Sequence, residues 1–205
     1  MFWDKVAGVY DIFANIYNAK AHESLCTQVE EMIGPNDEIL ECACGTGMLT
    51  RRLAPKCKSL IATDFSPKML KKAKGKCKQH LNVRFEHSDI MCLRYQDASF
   101  DKVIAANVIH LLDCPYEALG ELDRVCRPGG KLIIPTYVSI KEGGGQDTSS
   151  KVIGKAGAGF KRQFSYGLYQ KFFEDAGYRD VDYFLAKGRV SCAIAVITKP
   201  WRDTR

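Results

Sequence analysis

Apolar residues along this chain recur at two different periods, and the switches between them divide it into elements. Before residue 38 the spacing is helical. Val6, Tyr10, Phe13 and Tyr17 form one stripe, and Leu25, Val29, Met32 and Ile33 form a second. Gly34-Pro35-Asn36-Asp37 stops the second helix. From there short apolar runs alternate with helical stretches. Strands are expected at 38–43, 59–64, 82–86, 102–106 and 131–137. A helix opens near Gly47, and Ser66 is placed to cap another whose first position is Pro67. Pro115 begins a third, with Leu119, Leu122 and Val125 on its apolar face, and Arg127-Pro128-Gly129-Gly130 ends it. The polar, Gly-rich segment 139–163 reads as a mobile loop, followed by a helix near 166–176. Two last strands, about 179–186 and 191–198, are joined across Lys187-Gly188-Arg189 and should pair antiparallel. This alternation demands an α/β fold: a mostly parallel, doubly wound sheet with helices on both faces.

A chain of 205 residues suits a single domain over 1–205, with 1–34 as a helical cover. No run of about 18 apolar residues is present, so no transmembrane helix is expected. Met1-Phe2-Trp3-Asp4-Lys5 lacks the layout of a secretory signal, and a cytoplasmic protein is the expectation. Nine cysteines do not change that picture. They are scattered without a C-x-x-C pair, and only Cys42 and Cys44 lie close together. An odd count of this kind fits reduced thiols used as core filler, with no metal site. The net charge of +6 owes much to Lys68, Lys71, Lys72, Lys74, Lys76 and Lys78. No aromatic residues interleave them to stack bases, so they read as a solvated helix face and not as a nucleic-acid patch.

Candidate chemistry gathers where strands end. The first strand delivers Glu41 and then breaks into the small-residue turn Ala43-Cys44-Gly45-Thr46-Gly47, where a backbone can approach a ligand closely. The second ends in Asp64, followed by Phe65 and, one helical turn on, Met69. The third leads to Asp89-Ile90, and the fourth to Asn107 and His110. The turn is not a dinucleotide fingerprint, because the position three after Gly47 is Thr50. The G-x-x-x-x-G-K-[ST] loop of nucleotide hydrolases occurs nowhere in the chain.

Taken in order, these residues resemble the class I S-adenosylmethionine-dependent methyltransferases, and the resemblance runs through most of the chain. It implies a Rossmann-like sheet of seven strands with an antiparallel last strand. It also implies S-adenosyl-L-methionine as cofactor and S-adenosyl-L-homocysteine as product. Glu41 and the turn residues Ala43, Cys44, Gly45, Thr46 and Gly47 would hold the methionine and ribose portion. Asp64 would accept the ribose hydroxyls, Phe65 and Met69 would flank the adenine, and Asp89 with the Ile90 backbone would read its edge. Asn107 joins the cofactor set. The chain departs from the family pattern at Ala43, which stands in place of the first glycine of the turn. That is mild if φ stays below zero and harmful if it does not.

Val9-Tyr10-Asp11 resembles a Tyr-Asp element near the start of the quinone- and lipid-methylating relatives, where the first helix covers the cofactor. Tyr10 is therefore both a cofactor and a catalytic candidate. His110 is the other catalytic candidate, with Tyr17 and Tyr137 as further possible bases. A histidine base would make activity rise through a pH near the usual imidazole value. The acceptor implied is a small molecule, because the Asn/Asp-Pro-Pro-aromatic motif of amino-directed nucleic-acid methylases and a separate nucleic-acid-binding domain are both missing. An RNA or protein methylase, or a non-catalytic cofactor-binding protein, stays open as the alternative, as does the oligomeric state.

Overall fold

The computed structural model describes residues 17–140 and 161–201. The expected first stripe, apart from Tyr17, and most of the Gly-rich segment lie outside the described residues, as does Tyr10. The chain enters through α1 (Ala19–Glu30) and β1 (Glu38–Cys42), then passes the turn into a short α2 (Thr50–Leu53). β2 (Ser59–Asp64), α3 (Pro67–Lys76), β3 (Val83–His87), β4 (Phe100–Ala105) and α4 (Pro115–Val125) follow. β5 (Cys126–Ser139) is long, β6 (Phe164–Ser165) is a two-residue addition, and α5 (Tyr166–Asp175), β7 (Val181–Ala186) and β8 (Ser191–Thr198) complete the order.

Seven strands lie in the order β3-β2-β1-β4-β5-β8-β7, and β6 adds to the end of β5. β1, β2, β3, β4 and β5 run parallel, while β8 is antiparallel to both β5 and β7. The expected architecture is present, enlarged by β6. β5 begins earlier than expected because Arg127–Gly130 join it instead of forming a loop, with an irregular register between Phe100 and Lys102 on the β4 side. Gly130 is needed there. A Cβ would stand 2.8 Å from the Asp101 carbonyl oxygen, inside any tolerable contact.

One apolar cluster fills each face of the sheet. Leu40, Val103, Leu132 and Ile134 pack on one side with Leu119 and Leu122 of α4 and Tyr169 and Phe173 of α5. Ile39, Leu60, Ile104, Ile133 and Tyr137 pack on the other with Leu25, Cys26 and Val29 of α1. Inner strands covered on both faces read as continuous apolar runs, and β8 (SCAIAVIT) is buried over seven consecutive residues. The edge strands β3 and β7 are only half covered. All nine cysteines are free thiols: seven are buried, and Cys92 and Cys114 are exposed.

Candidate active site

Strand order reverses between β1 and β4. From β1 the chain works outward through β2 and β3, and from β4 it works outward through β5. A crevice opens at such a switch point beyond the carboxyl ends of the strands, where α/β sheets hold their ligands. Among the described residues, Glu41, the turn after β1, Asp64 and Asn107 lie at or just past the carboxyl ends of β1, β2 and β4.

The turn after β1 has three left-handed residues: Ala43 at φ 53°, Gly45 at φ 57° and Gly47 at φ 83°. The Cys44 amide donates to the Thr63 carbonyl at 2.8 Å, and the Gly45 amide donates to Asp64 Oδ2 at 2.8 Å. The turn is thus fastened to the end of β2. Gly47 lies so close to α3 that a Cβ would stand 3.2 Å from the Ala73 backbone, whereas a Cβ on Gly45 would meet nothing within 4 Å. Bare backbone at Gly45 faces open space, which suits a ligand pressed against the turn.

Asp64 is buried, and its second oxygen accepts the Ser66 amide at 2.8 Å. Ser66 in turn caps α3, with its hydroxyl accepting the Met69 amide at 3.2 Å. The acid therefore braces the turn and the helix start together. Beside it Phe65 is 48% exposed, unusual for so large an apolar ring, and it stacks on His87 with centroids 5.7 Å apart. The His87 ring holds that loop by donating to the Phe65 carbonyl at 2.9 Å. Met69 and Ile90 are buried, while Asp89 is at the surface with one oxygen accepting the Met91 amide at 2.9 Å.

Glu41 is buried below the turn and accepts the Thr50 hydroxyl at 2.7 Å. Burial raises its pKa to about 8, despite the Thr50 bond, and the neighbouring Asp64 adds to the rise. Across the crevice Asn107 sits at φ 54°, a conformation that asparagine tolerates better than most residues, with its amide donating to the Pro135 carbonyl at 2.7 Å.

The family model of the methyltransferase domain matches residues 40–134. The chain is 33% identical to the ubiquinone/menaquinone biosynthesis C-methyltransferase of Bdellovibrio bacteriovorus, over 67% of this chain and 61% of that protein. It is 30% identical to the demethylmenaquinone methyltransferase of Renibacterium salmoninarum, over 66% of this chain and 56% of that protein. A crystal structure of an S-adenosylmethionine-dependent methyltransferase from Aquifex aeolicus superposes with a TM-score of 0.69, at 18% identity, covering 96% of this chain and 98% of that one. The chain carries a methyltransferase domain. It spans about three fifths of the length of the two curated relatives.

The structure decides one point that the sequence left open, at Ala43, and changes one expectation, at His110. Ala43 takes the harmful alternative, since its φ is positive where a glycine would be unstrained. His110 is buried in the short turn Ile109–Leu111, and its backbone carbonyl accepts the Lys161 and Arg162 amides, each at 3.1 Å. Burial pushes its imidazole pKa down to about 3. The ring is then already neutral throughout the range in which an ordinary histidine titrates, so the expected rise of activity near the usual imidazole pKa is withdrawn.

One buried residue escaped the sequence reading. His22 of α1 is buried, and its Nε2 lies 2.7 Å from the Tyr137 hydroxyl. The signal was present: His22 stands three residues before Leu25, on the stripe that continues through Cys26 and Val29. Tyr17 is half-buried, with the Arg189 guanidinium 5.1 Å from its ring centre.

Proposed function

We propose that this chain transfers the methyl group of S-adenosylmethionine to a small-molecule acceptor of phenolic or quinol type, releasing S-adenosylhomocysteine. The observation that carries the proposal is the convergence of Glu41, the left-handed turn and Asp64 at the carboxyl ends of β1 and β2. The acceptor class is supported by the printed activities of the two curated relatives, both concerned with quinones. In this reading the Gly45 and Thr46 backbone and Glu41 hold the methionine portion. Asp64 turns from the turn amides toward the ribose hydroxyls as charge-assisted acceptor. The exposed Phe65 ring offers a face to the adenine, with Met69 beneath, and Asp89 and Ile90 read its edge. When bound, the sulfonium supplies an activated methyl group, so the chain's own contribution is largely positioning and exclusion of water.

In this reading the chain acts as one domain, and Tyr10 is a candidate that lies outside the described residues. No described helix is long and apolar enough to cross a membrane, and a reducing, cytoplasmic setting suits the free thiols.

Calorimetry tests the cofactor assignment directly. S-adenosylhomocysteine should bind and NAD should not. Asp64→Ala should weaken S-adenosylhomocysteine by about 2–4 kcal/mol, roughly 30- to 1,000-fold, by removing a charged acceptor. Tight NAD binding, or an affinity within about threefold of the parent in the variant, would refute the assignment.

A further inference from the structure

Against the apolar cluster between the sheet and α1 stands a chain of three rings, His22, Tyr137 and His110. Tyr137 stands on β5 beyond the end of β4. Ile104 is the last β4 residue paired with β5, opposite Ile133, so residues 135–139 overshoot the carboxyl end of β4. The Tyr137 ring belongs to the same buried cluster as Cys44 of the cofactor turn, with Met48 packed against it. Its hydroxyl meets Nε2 of His22 at 2.7 Å, and its ring meets the His110 ring edge-on at a centroid separation of 5.8 Å. His22 and Tyr137 come from elements 115 positions apart in the chain. A Phe–Leu pair would fill this volume without desolvating two polar groups, so a buried polar pair at the ligand end of the sheet calls for another explanation.

We propose that Tyr137 is the catalytic residue that removes the acceptor's hydroxyl proton, and that His22 is its positioning residue and proton store. This rests on the methyl-transfer reading above. In the step, the acceptor O–H bond breaks and its proton passes to the Tyr137 oxygen as the Tyr137 proton passes to Nε2 of His22. The acceptor becomes an oxyanion, His22 becomes an imidazolium, Tyr137 is restored, and no net charge is created. The imidazolium later returns the proton to water. The step requires His22 in the form protonated at Nδ1 alone, with Nε2 accepting from Tyr137.

Two measurements on the full chain decide it. The first is nitrogen NMR of histidine-labelled protein, with the His22 signals assigned from their loss in His22→Gln. Near neutral pH the expected result is an unprotonated Nε2 whose resonance moves in Tyr137→Phe. A protonated Nε2, or a resonance unmoved in that variant, overturns the relay. The second is steady-state methylation of naphthohydroquinone. Tyr137→Phe should lower kcat by about 10²-fold or more, and His22→Gln, which keeps a hydrogen-bond partner but no basic nitrogen, by about tenfold or more. KM and S-adenosylhomocysteine affinity should stay within about threefold of the parent in both. Full kcat in either variant, or a loss confined to KM, overturns the proposal. A parent protein that binds S-adenosylhomocysteine yet leaves naphthohydroquinone unmethylated also overturns it. A parent that binds no S-adenosylhomocysteine fails the methyl-transfer reading beneath it instead.

Discussion

Ala43 holds a left-handed backbone conformation that costs an L-residue with a Cβ about 1–2 kcal/mol. Glycine would remove that strain but enlarge the freedom of the unfolded chain, so the two effects partly cancel. Ala43→Gly should therefore raise stability by about 0.5–1 kcal/mol in urea unfolding with an unchanged slope, and a loss of stability would show that the methyl packs usefully. Glu41 offers a second prediction. Its carboxyl, with a pKa of about 8 in the ligand-free protein, keeps a proton that the unfolded chain gives up near 4.5. Its contribution to stability is fully present below pH 4.5 and is lost as pH climbs through 8. A cationic ligand group beside Glu41 favours the carboxylate. Binding of S-adenosylhomocysteine near pH 7 should then release up to about one proton. Apparent binding enthalpies measured in phosphate and in Tris should differ for the parent and coincide for Glu41→Gln. The acid at 41 and the turn beyond it were plain in the sequence. The backbone sign at Ala43 and the protonation of Glu41 were not, because both depend on what surrounds them.

α1 is held to the β7–β8 turn by a two-way bond. The Asn18 side chain donates to the Val190 carbonyl at 2.9 Å and accepts the Val190 amide at 3.1 Å. Gly188 makes the approach possible, since a Cβ there would stand 2.5 Å from Ala21 Cβ and 3.0 Å from the Ala21 amide. Neither is the free end of a flexible chain. Gly188→Ala should destabilise the protein by about 1–3 kcal/mol through overpacking, seen as a lowered denaturation midpoint. An unchanged midpoint would mean that α1 shifts without cost. His22 follows Ala21 directly, so the displacement should also lengthen its bond to Tyr137. The individual elements were legible from local signals: the Ser66 cap and the Pro115 helix start stand where the sequence put them. The Asn18 clamp and the His22–Tyr137 bond were not, since each joins residues more than a hundred positions apart and neither leaves a periodic trace.

At the scale of the whole molecule, burial grades across the sheet, from the half-covered edges β3 and β7 to the central strands sealed by clusters on both faces. The parallel order and the antiparallel return of β8 followed from the alternation of strands and helices together with the family resemblance. The length of β5 and the addition of β6 did not, because Arg127-Pro128-Gly129-Gly130 carries every local mark of a loop while its backbone joins the sheet. The same grading sorts the thiols. Cys92 and Cys114 lie at the surface, whereas burial raises the thiols of Cys42 and Cys126 to pKa values of about 12. A thiol must be both reachable and ionised to react. Native protein should thus consume about two equivalents of a disulfide reagent at once and the remaining seven only as fast as the fold opens, a count that urea should bring to nine. Without any added label, the chain carries its own clock, in which colour development reads the rate at which its interior meets water.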